Sequence, residues 1–455
     1  MLPDNALLEI FHFYKDDLAN QKFFTWRWKT LTQVCRRWRH VVFGSPRRLD
    51  LRLVCTSRTP TSKLLDIWPP FPIIVFLLFR IPEVDEDGVK NLIAALKCHD
   101  RTSEIHIIDI RGPVLEKLVT VLHEPFPVLT HFILSSTDES VPVLPETFLG
   151  GSAPRLQSLQ LIGIPFPSFP KFILCFPLIV DLHLSEIPNS GYISPEVMAT
   201  CLAALPNLGF LSIGFRSPPS RLLRLSPPHL TRAALPALYG LDFSGVSEYF
   251  EDFVARIDTP RLTRLRVAFF MDLIFDIPRL RNFIDRTEGL KPFIQAAILR
   301  FSGKTIKMIL GSPTRFELKI RCERPDWQLS SMTQIFNQQL PLLSLVEQLE
   351  ISQSSSGLEW KYDPDMDSSQ WLELFRLFVA ARSLYVSGRL VSPVTRALQD
   401  LTGQMATEVL PVLQALFLKG FQSSGPVHEA MKSFITARQL SHQPVVIQRW
   451  ERQEP

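Results

Sequence analysis

The sequence predicts an α/β fold, in which a small N-terminal helical module precedes an irregular α/β solenoid with a curved parallel sheet. Three observations predict it. Apolar residues near the N-terminus recur with helical spacing, an eight-residue pattern that starts with proline recurs through the rest of the chain, and stretches with helical spacing separate its copies. Because a repeat unit buries its apolar side only against its neighbours, the copies should stack. We place the boundaries at 1–46 for the module, 47–440 for the solenoid and 441–455 for a C-terminal tail.

The first helix of the module is predicted to begin at Pro3 and Asp4, residue types that are common at helix starts. A compact apolar group follows: Ala6, Leu7, Leu8, Ile10 and Phe11. The next stretch, KDDLANQKFFTWRWK (15–29), is polar at first and aromatic later, and we interpret it as a connection that contains a short helix.

The second helix is predicted to be one continuous element that ends at residues 44–46, where the sequence is Gly-Ser-Pro. Six apolar residues have the spacing of a single helical stripe: Leu31, Val34, Cys35, Trp38, Val41 and Val42. The charged residues between them fall outside the stripe and should face solvent: Arg36, Arg37, Arg39 and His40. We therefore expect Cys35 to be a packed small hydrophobe and not a reactive thiol.

The recurring pattern is P-x-Φ-x-x-Φ-x-Φ, where Φ is apolar. Its copies start at positions 127, 154, 177, 206, 236, 260 and 411, and the first six starts are 23 to 30 residues apart. This spacing is close to the period of about 20–29 residues in leucine-rich repeats. The Φ-x-Φ end alternates like a strand with one buried face, and the proline is expected to stop the preceding helix. Weaker copies lack the proline: EIHIIDI (104–110), FELKI (316–320), VEQLEI (346–351) and ARSLYV (381–386).

Other strands and helices fit around this pattern. RRLDLRL (47–53) reads as the first strand, and the apolar run between Pro70 and Pro82 as a buried strand. PEVMATCLAAL (195–205) and SSQWLELFRLFVAA (368–381) have helical spacing. Leucine-rich repeats usually carry Asn or Cys three residues after the last strand leucine. That position holds other residues here, which predicts an irregular solenoid: Thr137, Ile164, Ile187, Arg216, Val246 and Phe270.

Composition favours a folded protein over one that coats nucleic acid. Hydrophobic residues make up 46% of the chain and charged residues 21%, and the net charge is only +4. The charge is uneven, because residues 1–60 hold eleven Lys/Arg and five Asp/Glu, a net charge of +6, which leaves −2 for the remainder. A basic N-terminal part on a near-neutral body indicates an acidic partner.

Cysteine spacing and hydropathy indicate the compartment. The six cysteines occur singly, which suits reduced thiols in a cytosolic or nuclear protein better than a disulfide framework or a zinc site. The most apolar run has seven apolar residues between Ile73 and Phe79, whereas a membrane span needs about 20. No secretory segment opens the sequence. We therefore expect a soluble protein, cytoplasmic and/or nuclear, with no membrane contact.

No catalytic signature is present. The sequence has no G-x-x-x-x-G-K-[ST], G-x-G-x-x-G, G-x-S-x-G or H-E-x-x-H motif, and its ten histidines are scattered. HEP (123–125) and CHD (98–100) are interpreted as surface turns. We predict that the protein is not an enzyme, with no catalytic residue, no cofactor and no bound metal.

The basic segment also has features of a nucleic-acid-binding surface. The arginines of VCRRWRH (34–40) and SPRRLDLRL (45–53) could contact phosphates, and Trp26, Trp28 and Trp38 could stack on bases. Trp38, however, belongs to the apolar stripe, and the rest of the sequence supplies no matching basic face. We predict no nucleic-acid partner. From the residues alone, both a solvated helix face and a docking surface for an acidic protein stay open.

LPDNALLEIF (2–11) followed by VCRRWRHVVFGSP (34–46) resembles an F-box. That motif opens with Leu-Pro, continues as an apolar helix and closes on a Val-Cys-x-x-Trp-x-x-Val helix near a proline. The insert between the two halves is longer than in a compact F-box. Most of the remaining chain resembles a large, expanded group of F-box proteins from mushroom-forming fungi, in segments such as VFGSPRRLDLRLVCTSRTP (42–60) and SGPVHEAMKSFITARQLS (424–441).

The resemblance implies a substrate-receptor subunit of an SCF-type cullin-RING ubiquitin ligase. The F-box would bind an acidic Skp-family adaptor and, through it, a cullin, while the repeats would bind a protein substrate. The residues that the resemblance places at the adaptor are Leu2, Pro3, Leu7, Leu8, Ile10, Phe11, Leu31, Val34 and Trp38. The alternative is a ligase-independent leucine-rich-repeat scaffold for protein interactions, in which the helical module is only a structural cap.

Overall fold

The fold is that of a computed structural model, which describes residues 2–16, 27–44, 51–68, 70–78, 85–166, 169–217, 232–270, 277–290, 295–311, 316–322, 326–338, 341–353, 368–401, 405–419 and 426–450. The chain divides into two units, unit 1 (Met1–Ile193) and unit 2 (Ser194–Pro455). The predicted connection between the first two helices lies partly outside the described residues, at 17–26, and so do positions 47–50 of the predicted first strand.

Unit 1 begins with helices and continues with alternating strands and helices. Its helices are α1 (Asp4–Asp16), α2 (Arg27–Val34), α3 (Arg36–Phe43), α4 (Thr61–Ile67), α5 (Glu86–Leu96), α6 (Gly112–Val119) and α7 (Phe169–Leu174). Its strands are β1 (Leu51–Val54), β2 (Ile73–Leu78), β3 (Thr102–Ile108), β4 (His131–Ser135), β5 (Ser158–Ile162) and β6 (Asp181–Ile187). These six strands pair in chain order, and every pair is parallel.

Unit 2 alternates strands and helices in the same way. Its helices are α8 (Pro195–Leu202), α9 (Ser247–Ala255), α10 (Pro278–Arg286), α11 (Asp326–Gln338), α12 (Ser368–Phe375), α13 (Val391–Gln399), α14 (Met405–Glu408) and α15 (Pro426–Leu440). Its strands are β7 (Phe210–Phe215), β8 (Ala233–Ala234), β9 (Gly240–Gly245), β10 (Ile257–Asp258), β11 (Arg264–Phe269), β12 (Ala296–Ser302), β13 (Thr305–Leu310), β14 (Phe316–Arg321), β15 (Gln348–Gln353), β16 (Ser383–Val386), β17 (Ala415–Leu418) and β18 (Val446–Arg449).

The main sheet of unit 2 departs from the prediction of a wholly parallel sheet. Its strand order is β7-β9-β11-β14-β13-β12-β15-β16-β17-β18, and β13 pairs antiparallel with both β12 and β14. The cause is a tight hairpin at FSGKTI (301–306), where Ser302 pairs with Thr305 across the two-residue turn Gly303-Lys304. The expectation of parallel strands is therefore wrong for this segment.

The repeated proline has a more specific role than ending a helix. In each full copy of the pattern, the first Φ residue donates its backbone N–H to the carbonyl of the residue before the proline, which closes a turn with proline at its second position. The donor–acceptor pairs are Leu129–Phe126, Leu156–Ala153, Ile179–Phe176, Leu208–Leu205, Leu238–Leu235, Leu262–Thr259 and Leu413–Leu410, at 3.0–3.3 Å. Val346–Leu343 and Ala381–Phe378 close the same turn without proline. The proline's fixed φ thus prepares the turn that leads into each strand.

Strand alternation places the core on one face of each sheet. Residues such as Ile105, Leu182 and Leu265 are fully buried, while their neighbours in sequence are partly exposed. Where standard repeats carry Asn after the strand, Ile164 and Ile187 are buried instead. Apolar packing there replaces the hydrogen bonds of an asparagine, consistent with an irregular repeat.

The predicted repeat architecture is confirmed within each unit. All seven proline-led patterns, and the four weaker copies, lead into or form strands, and the two predicted helical stretches contain α8 and α12. The chain is a mixed α/β repeat protein with a mostly parallel sheet in each unit. The last strand, β18, lies within the predicted tail 441–455 and pairs with β17, so the repeat extends into that segment.

Candidate docking site in the N-terminal helices

Helices α1–α3 enclose a small apolar cluster of their own. Leu7, Phe11, Val41 and Val42 are buried at its centre. Partly buried apolar residues pack around them: Leu8, Leu31, Trp38 and Phe43. The rings of Phe11 and Trp38 are 4.8 Å apart between centroids and tilted by 59°. Five of the nine residues that the F-box resemblance assigns to the adaptor therefore help to hold the three helices together.

The other four assigned residues are exposed. The exposed fraction is 53% for Leu2, 47% for Ile10 and 57% for Val34, and Pro3 is exposed as well. These side chains add nothing to the core of the module. They are the part of the predicted site that is accessible to a partner.

The prediction of one continuous second helix is wrong. The chain breaks at Cys35, whose backbone is extended (φ −158°, ψ 169°), so that α2 ends at Val34 and α3 begins at Arg36. The side chain of Cys35 is exposed and accepts a hydrogen bond from the backbone N–H of Trp38, with 3.4 Å between sulfur and nitrogen. Arg39 Nε donates to the carbonyl oxygen of Thr32 at 2.9 Å. These two contacts satisfy backbone groups that the break leaves without helical partners. Cys35 thus caps a helix and is not packed.

The charged residues of α3 divide into two kinds. Arg36, Arg39 and His40 are exposed, as predicted. Arg37 is only partly exposed, and its guanidinium holds the start of the chain: Nη2 lies 2.7 Å from Asp4 Oδ1 and 2.5 Å from the carbonyl oxygen of Leu2. Because Arg37 lies in the first turn of α3, three residues after Val34, these contacts hold Leu2 near the junction between α2 and α3. Sequence reasoning missed this role, since the two partners are 33 residues apart.

The tryptophans considered for base stacking are only partly described. Trp38 packs against the apolar cluster. Trp26 lies outside the described residues, and so does the side chain of Trp28.

The strand residues of the unit 2 sheet are buried on one face. We call the opposite, polar face the open face. On it, Asp242 lies 3.2 Å from Arg264, and Glu317 lies 2.7 Å from Lys307 and 3.8 Å from Arg266. Burial raises the pKa of Asp242, although Arg264 and Arg266 act in the opposite direction. Charged residues at alternate strand positions therefore meet across four neighbouring strands, β9, β11, β14 and β13.

The described residues show no assembled metal or thiol chemistry. They contain no group of three or more His, Cys, Asp or Glu side chains that could hold a metal ion. All six cysteines are free, and burial raises the pKa of the Cys55 thiol to about 12. In the same described part of the chain, no helix is both long and apolar enough to cross a membrane.

Comparison with known proteins identifies no family. No protein-family model matches the chain, and no curated protein matches it. Among solved structures, the chain is similar to the leucine-rich repeat-containing protein LegL7 from Legionella pneumophila, with 11% sequence identity and a TM-score of 0.29 over 84% of this chain and 97% of that one. At this TM-score the likeness carries no argument about function.

Proposed function

We propose that the chain is the substrate-receptor subunit of an SCF-type cullin-RING ubiquitin ligase. In this role α1–α3 bind a Skp-family adaptor, which connects the chain to a cullin, and the repeats bind a protein substrate. The chain itself supplies no covalent step. It acts by positioning, because a bound substrate presents its lysines at a high effective concentration to the ubiquitin-carrying enzyme of the complex.

The proposal rests on the division of apolar residues in the helical module between its core and its surface. One set of apolar side chains fills the small core, while Leu2, Ile10 and Val34 stay exposed. Burying a large apolar side chain is worth about 1.5–3 kcal/mol, and this stabilisation is available only to a partner that covers these three residues. The resemblance to an F-box names such a partner.

Charge supports an acidic partner. Arg36, Arg39 and His40 are exposed on α3, beside the exposed Val34. A positive surface next to an apolar contact accelerates association with an acidic protein and orients it. The same charges would disfavour a basic partner.

Adaptor capture by the full-length chain tests the proposal. The double variant Ile10→Asp/Val34→Asp should weaken binding to a fungal Skp-family adaptor by about tenfold or more, because two apolar contacts are lost. Ile67→Asp is the matched control, since Ile67 is 75% exposed on α4 and lies outside the module. The proposal fails if wild-type protein captures no adaptor, or if the double variant and the control bind it equally.

The alternative, a ligase-independent scaffold, is favoured by the extent of the repeats, which make up the described chain from β1 to β18. Affinity purification of the tagged chain from a fungal host, followed by mass spectrometry, separates the two functions. A ligase receptor should recover both adaptor and cullin. Adaptor without cullin, or neither protein with stable recovery of other partners, indicates the scaffold.

A further inference from the structure

The hairpin inserted into the sheet of unit 2 collects positive charge on the open face. Lys307 on β13 lies directly opposite Lys319 on β14 and directly opposite Arg300 on β12. Side chains at opposed positions of neighbouring strands point to the same face and lie about 5 Å apart at Cβ. We call these three residues the cationic row. Arg321, two positions beyond Lys319, adds a fourth cation.

The cationic row is poorly neutralised by its surroundings. Lys307 is paired with Glu317 at 2.7 Å. Among the residues that the structure describes, neither Arg300 nor Lys319 forms an ion pair with a carboxylate within 4.0 Å. Burial lowers the pKa of Lys319, Lys307 and Arg321 lower it further, and Glu317 acts in the opposite direction. Like charges are thus held together on a half-buried surface, where a bound anion would relieve their repulsion.

Small side chains flank the cationic row on both sides. Lys319 faces Ala268 on β11, which in turn faces Ser244 on β9. Arg300 faces Ser352 on β15. Ala268 and Ser244 are short and partly exposed, so the row is open on its β11 side, whereas Ser352 is itself buried.

An aromatic pair lies further along the same sheet. Tyr385 on β16 and Phe417 on β17 are opposed in register, and their rings stack at 4.4 Å between centroids with an angle of 6°. Trp450 packs edge-on against Tyr385 at 5.4 Å. Neighbouring strands are about 4.8 Å apart, so β14 to β17 span about 24 Å, the length of about seven extended residues. One short segment can therefore reach both the cationic row and the aromatic pair.

We propose that the open face of unit 2 binds an extended, carboxylate-rich segment of a partner protein, with its acidic residues on Arg300, Lys307 and Lys319 and a neighbouring apolar side chain on Tyr385 and Phe417. This inference rests on the proposed protein-binding role of the repeats, and it does not depend on adaptor binding by α1–α3.

Charge on either side of the cationic row favours an acidic protein segment over a nucleic acid. Asp242 lies on β9 and Glu350 lies on β15. These two strands flank the four strands β11, β14, β13 and β12 of the sheet. These carboxylates interrupt the positive surface on both sides of the row, so the positive charge is not continuous along the sheet. The positive surface is about 10 Å wide across three strands, which suits two or three acidic side chains. A continuous polyanion would need a longer basic surface.

Peptide selection on the full-length chain tests the inference. Random seven-residue peptides displayed on phage are selected at low ionic strength, with counter-selection on Arg300→Gln/Lys319→Gln. The peptides that survive should carry two or more Asp or Glu residues close to an aromatic or aliphatic residue. Binding of the most enriched peptide, labelled with fluorescein, is then measured by anisotropy.

The double variant should weaken peptide binding about tenfold, since two charge contacts of about 0.7 kcal/mol each are lost. Lys319→Arg should retain binding because the charge is kept. Lys432→Gln is the matched control, since Lys432 is an exposed cation on α15 that pairs with Glu429. If the double variant does not fold, as judged by its thermal transition, the single variant Arg300→Gln replaces it, with a smaller loss of binding expected.

Three results overturn the inference: no enrichment of acidic peptides, equal peptide binding by the double variant and Lys432→Gln, or tighter binding of a single-stranded oligonucleotide than of the peptide at the same salt concentration. The adaptor assay keeps this test separate from the proposed function. Ile10→Asp/Val34→Asp should bind the peptide normally, and Arg300→Gln/Lys319→Gln should capture the adaptor normally. Adaptor capture without peptide binding would refute this inference alone.

Discussion

Arg37 Nη2 lies 2.7 Å from Asp4 Oδ1, and the same guanidinium nitrogen donates to the carbonyl of Leu2. The contact joins the first residues of α1 to the first turn of α3. It also sets the position of exposed Leu2 next to the junction between α2 and α3. A charged side chain that sequence spacing assigns to solvent therefore organises the end of the module where the exposed apolar residues lie.

Replacing Arg37 with Met should release residues 2–6 without unfolding the module. Because Asp4 is exposed and Arg37 is partly exposed, the loss of stability should be less than about 1 kcal/mol, while hydrogen exchange of the backbone amides of residues 4–7 should accelerate. Exchange measured by mass spectrometry checks this. Arg36→Met is the matched control, because Arg36 is exposed on the same turn. Equal exchange in the two variants would show that the clip does not hold the chain start.

Cys35 should behave as a helix cap in mutagenesis. Cys35→Ser retains an acceptor for the N–H of Trp38 and should be at least as stable as wild type, whereas Cys35→Ala should lose about 0.5–1 kcal/mol. Urea denaturation followed by tryptophan fluorescence measures both changes. If the Ala variant is as stable as the Ser variant, the cap contributes nothing.

Thiol reactivity should distinguish Cys35 from the buried cysteines. In the native protein, an exposed Cys35 should react with an aromatic disulfide reagent within the first kinetic phase at pH 8. Cys55 should not react until the protein unfolds, because burial excludes the reagent and raises the pKa of its thiol to about 12. Cys35→Ser should reduce the fast phase by one thiol per chain, since Cys98 and Cys175 are partly exposed as well. A fast phase of unchanged size in this variant would contradict the exposed position of Cys35.

Arg438 should be essential to the end of unit 2. It is fully buried on α15, and its Nη2 donates to the carbonyls of Val409 and Leu410 at 2.8 Å each. Arg438→Met leaves both carbonyls without this donor and should cost about 2–4 kcal/mol. Arg438→Lys should be intermediate, since an ammonium group reaches fewer acceptors. Lys432→Met on the exposed face of the same helix is the control, and a similar loss in both would refute the prediction.

Stability should depend on pH through Glu104. A hydrogen bond from His106, at 3.0 Å, holds the pKa of Glu104 below its usual value. Because the folded pKa is the lower one, this stabilisation is present above the unfolded pKa of about 4.3 and is lost as the pH falls through the folded pKa. Glu104→Gln should therefore destabilise the protein at pH 7 and have a smaller effect near pH 3. Urea denaturation at both pH values checks this.

Exposed Glu116 on α6 provides the control for that experiment. Glu116→Gln should give little change at either pH value. A Glu104→Gln effect that is the same at pH 7 and pH 3 would show that the carboxylate charge is not its source.

Most strands were predictable because their signal is local. The alternation in PRLQSLQL or PALYGLDF is visible in eight residues, and the strand follows directly from it. The hairpin β12–β13 was missed, although AAILRFS and TIKMIL alternate on either side of Gly303-Lys304, because neither run has the proline of the repeat. Six of the apolar residues assigned to the docking surface differ in burial, and the sequence alone did not separate them. Leu7 and Phe11 are buried, whereas Leu2, Pro3, Ile10 and Val34 are exposed.

By itself, the sequence determined the repeat, since apolar alternation and the proline turn act over a few neighbouring residues and need no distant partner. It also determined the free cysteines and the basic N-terminal part. The tertiary structure decided where a stretch with helical spacing is broken into two helices. Cys35 interrupts the apolar stripe because Arg39 and its own sulfur satisfy the backbone groups at the break, and Arg37 pairs with a residue far away in the chain. It also decided that Arg300, Lys307 and Lys319 share one surface, because strand register, and not spacing along the chain, sets which charges meet.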